Sequence, residues 1–327
     1  MRKLIIYSII SLFAVTFYSC NDEWKDEQYQ KYVSFVRSGY NNTYLNYNSE
    51  GGTVKYRIPI VISGSTMNDR DVKVTISLDP DTLAAMNQAR YFTREDLYYR
   101  LLDTKYYDFS TLTTTIPAGE NVGYIDVDFK IGDLDLVEKY VLPLRIQETS
   151  DYIPSPKLWY NRSLMRVVPF NDYSGIYSAT GGTITEVGSS TPTSVDTREM
   201  RVVDQNTVFF YAGLTEEDAR NRALYKVRVK FESPTIVPDS GGVVLTADNP
   251  DIAFTYDPGK SYYKIHSEMD ALQPYLLKKT TTLFLNYTYK DISNPNYSVT
   301  YKFTGSYVME RRRNTQIPEQ DQQEIFE

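Results

Sequence analysis

Short runs of alternating hydrophobic and polar residues recur along the first half of the chain and predict β-strands. The clearest is "VGYIDVDFKI" at 122–131, where charged residues separate Val127, Phe129 and Ile131, so one face of the strand is expected to be buried. The other runs are "KYVSFV", "TVKYRIPIVI", "DVKVTISL", "TLTTTI" and "KYVLPLRI". Roughly six or seven strands within about 130 residues predict an all-β sandwich, which we place at residues 31–168.

One segment between these strands departs from the alternation. In "PDTLAAMNQARYFTREDLYYRLLD" at 80–103, Leu83 and Met86 and then Leu97 and Leu101 recur at helical spacing. We therefore expect one or two short helices on a long crossover connection.

A second series of strands follows the turn-rich stretch "VVPFNDYSGIYSATGG", in which Pro169, Asn171, Asp172 and Gly175 supply turn residues. The predicted strands are "GIYSATG", "REMRVV", "TVFFYAG", "LYKVRVKFE", "GGVVLT", "IAFTYD", "SYYKIH", "TTLFLNYTYK" and "YSVTYKFTGSYVMERR". Antiparallel strands joined by short turns in this number predict a small up-and-down barrel, whose closure removes exposed sheet edges. We place the barrel at residues 170–313 and a polar C-terminal tail at 314–327.

The N-terminus has the layout of a signal peptide. Arg2 and Lys3 precede a largely apolar run from Leu4 to Tyr18, which is shorter than the ~20 residues that span a bilayer. Cleavage after Ser19 would remove residues 1–19 and leave residues 20–30 as an acidic tether.

Cys20, the single cysteine of the chain, would then be the new N-terminus. It resembles the lipidated cysteine of bacterial lipoproteins, which carries a diacylglycerol and a third acyl chain such as palmitate, and each buried CH₂ adds ~0.8 kcal/mol of membrane affinity. The following Asn21-Asp22-Glu23 resembles the export signal of Bacteroidota surface lipoproteins, which implies an outer-membrane protein facing the cell exterior. An ordinary secreted protein is the alternative, because Phe17 and Tyr18 are bulkier than the usual lipobox residues.

Composition narrows the class of ligand. The formal net charge of −7 disfavours nucleic acid, which requires a surplus of lysine and arginine on one face. Tyrosine is abundant, with 30 residues against 14 phenylalanines and 2 tryptophans. Its ring suits half-buried sheet faces and can also stack on the apolar face of a sugar.

Two sets of phrases resemble known domain families. In the first half "IPIVISGSTMNDRDVKVTISLDPDTL", "TIPAGENV" and "YVLPLRI" resemble the immunoglobulin-like N-terminal domain of unknown function of Bacteroidota polysaccharide-utilisation lipoproteins, which also precedes some family 18 endoglycosidases. From "YSGIYSATGG" to "FTGSYVMERRRNTQIPEQDQQ" the second half resembles the lipocalin-like C-terminal domain of such lipoproteins. The resemblance implies an immunoglobulin-like β-sandwich followed by a lipocalin-like antiparallel β-barrel. It also implies a glycan-binding accessory of a starch-utilisation-type importer pair.

Catalytic motifs are incomplete. The family 18 signature needs four acidic residues at i, i+3, i+5 and i+7, but "GYIDVDFK" aligns only Asp126 and Asp128 and has Gly123 and Lys130 at the other two positions. A lysine cannot be the general acid of glycoside hydrolysis, so the two aspartates are interpreted as the solvent face of a strand. Other carboxylate pairs remain open from sequence alone. His266 is the single histidine, so multi-histidine zinc sites and most Ser-His-Asp schemes lack parts. The oxygen-rich runs "DPD" at 79–81 and "DNPD" at 248–251 could hold calcium but lack EF-hand spacing, and we interpret both as turns. We therefore predict no metal site and no cofactor.

Sugar binding requires an exposed aromatic ring with amide or carboxylate groups beside it. Trp159, Tyr160 and Asn161 in "PSPKLWYNRS" form the best candidate, with interdomain packing of the tryptophan as the alternative. Tyr262 and Tyr263 are a second candidate, and the pairs Tyr98-Tyr99 and Tyr106-Tyr107 are weaker ones. In an extended backbone one ring of each pair faces inward and the other outward.

The sequence thus predicts a lipid-anchored, non-catalytic protein that binds a poly- or oligosaccharide. A glycoside hydrolase, or an accessory to one, is the first alternative. A fimbrial or adhesion-type structural lipoprotein is the second.

Overall fold

The computed structural model describes residues 26–47, 52–233 and 239–317, and they fold mainly into β-strands. The all-β fold class, a sandwich followed by a barrel, is confirmed. The predicted signal peptide at 1–19 and Cys20 lie outside the described residues, as does the part of the predicted tail from residue 318 onward.

Two sheets form the N-terminal sandwich. Its strands are β1 (Tyr32–Phe35), β2 (Gly39–Asn46), β3 (Thr53–Ile62), β4 (Val72–Leu78), β5 (Arg100–Leu101), β6 (Tyr107–Phe109), β7 (Thr113–Ile116), β8 (Val122–Lys130), β9 (Tyr140–Thr149), β10 (Ile153–Pro154) and β11 (Arg162–Phe170). One sheet has the order β10-β1-β3-β8-β6 and the other β2-β11-β9-β4-β7, with β5 added to β9. Between them the inward side chains, among them Phe35, Ile60, Val74, Phe129 and Leu144, form a buried core.

A helix, α1 (Pro80–Tyr91), covers part of the outer face of the second sheet. It is capped by Asp79, whose carboxylate accepts a hydrogen bond from the Thr82 amide at 3.3 Å. The same carboxylate forms an ion pair with Arg162 Nε at 3.0 Å. Leu83 packs with Tyr99 and with Val141 and Leu164 of the sheet beneath. The described part of the chain also contains short 3₁₀ helices at Glu95–Leu97, Thr104–Tyr106, Arg222–Tyr225, Pro250–Ile252 and Pro258–Lys260. The helical spacing at 80–103 therefore correctly predicted short helices in this connection, where α1 and the 3₁₀ helix Glu95–Leu97 lie.

The second half forms a closed barrel. Its strands are β12 (Gly175–Glu186), β13 (Pro192–Ser194), β14 (Thr197–Val202), β15 (Thr207–Tyr211), β16 (Lys226–Phe231), β17 (Ser240–Ala247), β18 (Thr255–Tyr256), β19 (Tyr262–Met269), β20 (Leu276–Asp291) and β21 (Val299–Asn314). The ring runs β12-β14-β15-β16-β17-β19-β20-β21 and closes where β21 pairs with β12. The run "IAFTYD", predicted as a strand, supplies only the two-residue β18 outside the ring, because Ala253 adopts φ 42° and turns the backbone.

Aromatic side chains fill the barrel interior. Six of the inward rings are at most 1 % exposed: Tyr177, Phe210, Tyr287, Tyr289, Phe303 and Tyr307. Gly182 makes room for one of them, since a Cβ at this position would lie 2.4 Å from the Phe303 ring. The barrel is therefore a packed core, and binding surfaces must lie outside it.

An apolar contact joins the two domains. Phe209 and Tyr211 point outward from the barrel, and together with Val202 they belong to the same buried cluster as Leu134 and Leu136 of the sandwich. Hydrogen bonds and ion pairs surround this contact: Arg94 Nη2 donates to the Asp218 carbonyl at 2.7 Å, Arg222 Nη2 to the Asp96 carbonyl at 3.3 Å, and Lys226 Nζ pairs with Asp135 Oδ1 at 3.2 Å. Because an interface rich in buried apolar residues restricts domain motion, the two domains hold a fixed orientation.

Candidate functional site

A cleft of about 370 Å³ lies where the sandwich meets the barrel. The sandwich contributes β2, β11 and the residues 136–139 that lead into β9, and the barrel contributes β12, β14 and β21. Small-molecule sites are commonly clefts of ~300–1,000 Å³ at domain interfaces, so this cleft is the candidate functional site.

Parallel pairing of β2 with β11 forms the sandwich wall. Met165 and Val167 of β11 point into the core, so Arg166 and Val168 point to the outer face and line the cleft. Asn42 pairs in register with Arg166, and Tyr44 with Val168. These pairings place an amide and a phenol beside a guanidinium. Further along the same face, towards Leu164, α1 covers the sheet.

A glycine in β12 lets two strands of the barrel wall, β12 and β21, pack closely beside the cleft. A Cβ at Gly175 would lie 2.6 Å from Met309 Sδ, so the absence of a side chain lets Met309 pack against this strand. Ile176 is 59 % exposed and adds an apolar surface. Ile176 thus gives the barrel side of the cleft an exposed apolar residue, whereas Met200 and Met309 beneath it are buried.

The segment between the domains is held by its own polar contacts. Asn171 Oδ1 accepts hydrogen bonds from the Tyr173 and Ser174 amides at 2.9 and 2.8 Å. Arg311 donates Nη1 to the Asn171 carbonyl at 2.9 Å and Nη2 to the Ser174 carbonyl at 2.6 Å. The guanidinium also lies 5.6 Å from the centre of the Phe170 ring. The connection is therefore a fixed turn.

A charged cluster lies at the base of the barrel wall. The Nη2 of Arg201 pairs with Glu199 at 2.7 Å and with Glu217 at 2.6 Å, and the arginine side chain is only 8 % exposed. Burial raises the pKa of Glu217. Burial acts in the same direction on Glu199, but the charges of Arg201, Arg166 and Lys139 outweigh it and lower the pKa of this carboxyl. Glu199 is therefore ionised at neutral pH.

Lys139 and Arg166 are the remaining cations on this side of the cleft. Within the described ranges neither has a carboxylate oxygen within 4.0 Å. Burial and the nearby charge of Arg166 lower the pKa of Lys139. Two cations thus share a half-buried surface without a direct ion-pair partner.

The residues predicted from sequence to bind a glycan lie elsewhere. Trp159, Tyr160 and Asn161 form the turn that precedes β11, at the opposite end of the strand from the cleft. Trp159 is half-buried, has φ 74°, and packs on the cluster of Leu83 and its neighbours within the first domain rather than at the domain interface. Tyr160 is 47 % exposed, and Asn161 Oδ1 accepts a hydrogen bond from the Arg162 guanidinium at 3.2 Å.

The second predicted pair lies on the barrel surface. Tyr262 is exposed and stacks on Phe284 with ring centres 4.6 Å apart, whereas Tyr263 is buried and donates to the Glu232 carbonyl at 2.8 Å. The two rings face opposite sides of β19, as an extended backbone requires. The two predicted groups lie in different domains, and neither lines the cleft, so both stay predictions.

The interpretation of Asp126 as a surface residue is confirmed. It pairs with Arg57 Nε at 3.3 Å, and both side chains are about two thirds exposed, at 68 % and 65 %. His266 is also exposed and lies 3.4 Å from Glu268.

Oxygen-rich turns of the sequence serve as caps. Asp79 begins α1, and the Asn249 side chain accepts from the Asp251 amide at 3.1 Å to begin a 3₁₀ helix. Across the described part of the chain, no group of three or more His, Cys, Asp or Glu side chains is arranged to hold a metal ion. Nor do residues 26–47, 52–233 and 239–317 contain a helix with the length and hydrophobicity to cross a bilayer.

The family comparisons match both halves. The model of a domain of unknown function, DUF4973, matches residues 24–150, and that of a C-terminal domain matches residues 161–308. None of the curated proteins is detectably similar to the chain.

Solved structures from Bacteroides are similar over nearly the whole chain. A protein of unknown function from Bacteroides ovatus is 34% identical, with a TM-score of 0.79, over 89% of this chain and 98% of its own. A multidomain protein including DUF1735 from the same species is also 34% identical, with a TM-score of 0.77, over 89% and 99%. An auxiliary nutrient binding protein from Bacteroides thetaiotaomicron is 31% identical, with a TM-score of 0.77, over 87% and 94%.

Proposed function

The chain belongs to the family of Bacteroides proteins that these similar structures represent, and on this basis we propose that it binds a glycan in the interdomain cleft without cleaving it. The observation that carries the proposal is a concave cleft of about 370 Å³ between domains of fixed orientation. The name of the Bacteroides thetaiotaomicron relative supports a role in nutrient binding.

The two sides of the cleft suit the two kinds of surface on a sugar. The amide of Asn42, the phenol of Tyr44 and the guanidinium of Arg166 offer hydrogen-bond donors and acceptors to hydroxyl groups. Across from them, the exposed side chain of Ile176 offers an apolar surface to ring C–H groups. A cleft this open buries part of a ligand only, so we expect dissociation constants of about 1 μM or weaker.

The carboxylates that line the cleft favour binding over hydrolysis. A glycosidase requires one protonated carboxyl facing the leaving oxygen. Here Glu310 pairs with Lys278 and Arg312, at 3.1 and 3.0 Å, and burial, which raises its pKa, is outweighed by these hydrogen bonds so that the pKa is lowered. Glu199 is held ionised by Arg201 as described above. These groups therefore stabilise cations and are not placed as general acids.

The test uses protein lacking residues 1–20 on a broad glycan array, followed by an assay for reducing ends with each glycan that binds. We expect retained binding and no sugar release. Loss of binding in Arg166→Gln but not in Trp159→Ala would place the ligand in the cleft. An array without hits contradicts the binding proposal, and sugar release that Glu199→Gln or Glu217→Gln abolishes would support the hydrolase alternative.

We also propose that Cys20 carries lipid, that the protein faces the exterior of the outer membrane, and that it serves a starch-utilisation-type importer pair. Among the described residues, which begin at 26, Glu27 is the first whose side chain contacts the sandwich, where its carboxylate accepts a hydrogen bond from the Ser65 amide at 2.8 Å. At ~3.5 Å per residue, the chain from Cys20 to Glu27 reaches about 25 Å at most, so the tether would keep the first domain close to the membrane. Palmitate labelling that Cys20→Ala abolishes is the expected result, and unchanged membrane pelleting of the variant contradicts it.

A further inference from the structure

We infer that the glycan bound in the cleft carries an anionic group, a carboxylate or a sulfate, and that Lys139 and Arg166 receive this group. The inference rests on the proposed function and adds to it the chemical class of the ligand. It depends on the position of the two cations, the pairing of the surrounding charges and the charge of the whole chain.

Strand register places the two cations on one face. In the antiparallel pair of β9 and β11, Val167 lies opposite Tyr140 and Arg166 opposite Val141. Lys139 directly precedes Tyr140, so it lies opposite Val168 and diagonally across from Arg166. Diagonal neighbours of a sheet are ~7–8 Å apart at their backbones, within reach of long side chains. Both side chains line the cleft.

The carboxylates around them have cations of their own. On β14, Glu199 pairs with Arg201 at 2.7 Å. Glu138, next to Lys139 in the chain, pairs with Arg100 at 3.1 Å.

The third wall shows the same arrangement. On β21, Glu310 pairs with Lys278 and Arg312, and Arg311 donates to two backbone carbonyls. On β2, the charge-free Asn42 and Tyr44 complete the surroundings. Among the described residues, each carboxylate that lines the cleft is therefore already paired, whereas Lys139 and Arg166 have no carboxylate oxygen within 4.0 Å.

This surplus of positive charge is local, because the chain as a whole has a formal charge of −7. Burial lowers the pKa of Lys139, and repulsion by the like charge of Arg166 lowers it further. An arriving anion would remove this repulsion. The planar guanidinium of Arg166 can donate two parallel hydrogen bonds to a carboxylate or sulfate, and Lys139 adds a point charge.

The first arm of the test uses simple anions. Sodium glucuronate and sodium sulfate are titrated against the protein at constant ionic strength while thermal unfolding is recorded. We expect both salts to raise the Tm of the wild-type protein above that in chloride, and to lose this effect in Arg166→Gln and Lys139→Gln. The matched controls Arg145→Gln and Lys290→Gln replace cations outside the cleft and should respond like the wild type. Equal responses in all five proteins, or none in any, would overturn the anion site.

The second arm compares glycans. Among array hits we expect uronic-acid or sulfated oligosaccharides. Their affinity should be at least tenfold weaker for Arg166→Gln than for the wild type, and at least tenfold weaker in 0.5 M salt than in 0.05 M salt. Carboxyl reduction and desulfation of each hit then show which anion is recognised. Neutral glycans that bind as tightly as acidic ones and lose affinity in Arg166→Gln would overturn the inference and leave the proposed function standing. Glycans whose affinity Arg166→Gln leaves unchanged would contradict both. Anion binding without any glycan hit would support the anion site but contradict the proposed function.

Discussion

Replacing Arg201 with methionine tests whether this guanidinium holds two carboxylates at the cleft base. Methionine keeps part of the packing of Arg201 on the Phe209 and Tyr211 rings, whose centres lie 5.9 and 5.5 Å from the guanidinium carbon. It removes the only cation within 4.0 Å of Glu217 and of Glu199 among the described residues. The variant therefore leaves two carboxylates without an ion-pair partner.

The magnitude follows from burial. Removing one partner of a buried ion pair costs ~3–5 kcal/mol. Glu199 and Glu217 retain 30 % and 33 % of their side-chain exposure, so water stabilises them in part and the lower end applies. We expect a loss of about 3 kcal/mol in the free energy of unfolding. With an unfolding entropy of ~2.1 cal/mol/K per residue, a chain of about 300 residues would then have a Tm lower by roughly 5 °C.

Thermal unfolding at pH 7.5 and pH 5.5 is the assay. Without Arg201 the folded-state pKa of both carboxyls rises above the unfolded value, so the destabilisation is largest above the raised pKa and is lost as pH falls through it. The Tm difference between variant and wild type should therefore narrow at pH 5.5. Adding Glu199→Gln to the variant should restore part of the Tm. A deficit below about 1 kcal/mol, or one that does not change with pH, would refute this reasoning.

Three further substitutions probe the rest of the fold. Asp79→Ala removes the α1 cap and the pair with Arg162, so we expect a loss of ~1–2 kcal/mol in urea unfolding, whereas Asp79→Asn should retain most of the cap, and equal losses would contradict the capping role. Gly182→Ala places a Cβ against Phe303 and should lower stability by ~1–3 kcal/mol, and an unchanged Tm would show that the ring moves freely. Trp159→Ala should destabilise the protein without changing glycan affinity, and the opposite result would make this tryptophan part of the binding site.

The strands that the sequence predicts best are those with one buried face. The run "TVKYRIPIVI" coincides with β3 (Thr53–Ile62), and "VGYIDVDFKI" contains all of β8 (Val122–Lys130). Two strands of the second sheet were missed. In β2, "GYNNTYLN" is polar and half-buried, and in β11, "RSLMRVVPF" is buried on both faces, so neither shows a clear alternation. Their pairing, which no local pattern encodes, makes the sandwich wall of the cleft.

The cleft itself has no sequence motif because it arises from contact between two domains. Asn42, Lys139, Arg166, Glu199 and Arg311 come from five separate segments, and each is ordinary in its own strand. Loop tryptophans and paired tyrosines can be recognised in the sequence, but the sequence does not show where they lie relative to the cleft. That Lys139 and Arg166 have no carboxylate within 4.0 Å among the described residues could be recognised only from the three-dimensional structure.

The apolar contact that joins the domains also bears on how the protein can be handled. Val202, Phe209 and Tyr211 are at most 3 % exposed in the whole molecule, and cutting the chain between the domains would expose all three to water. An isolated barrel would then expose a hydrophobic patch of aromatic and aliphatic side chains and tend to self-associate. Truncation is thus a poor way of assigning ligand binding to one half, and point substitutions in the intact chain are the sounder choice.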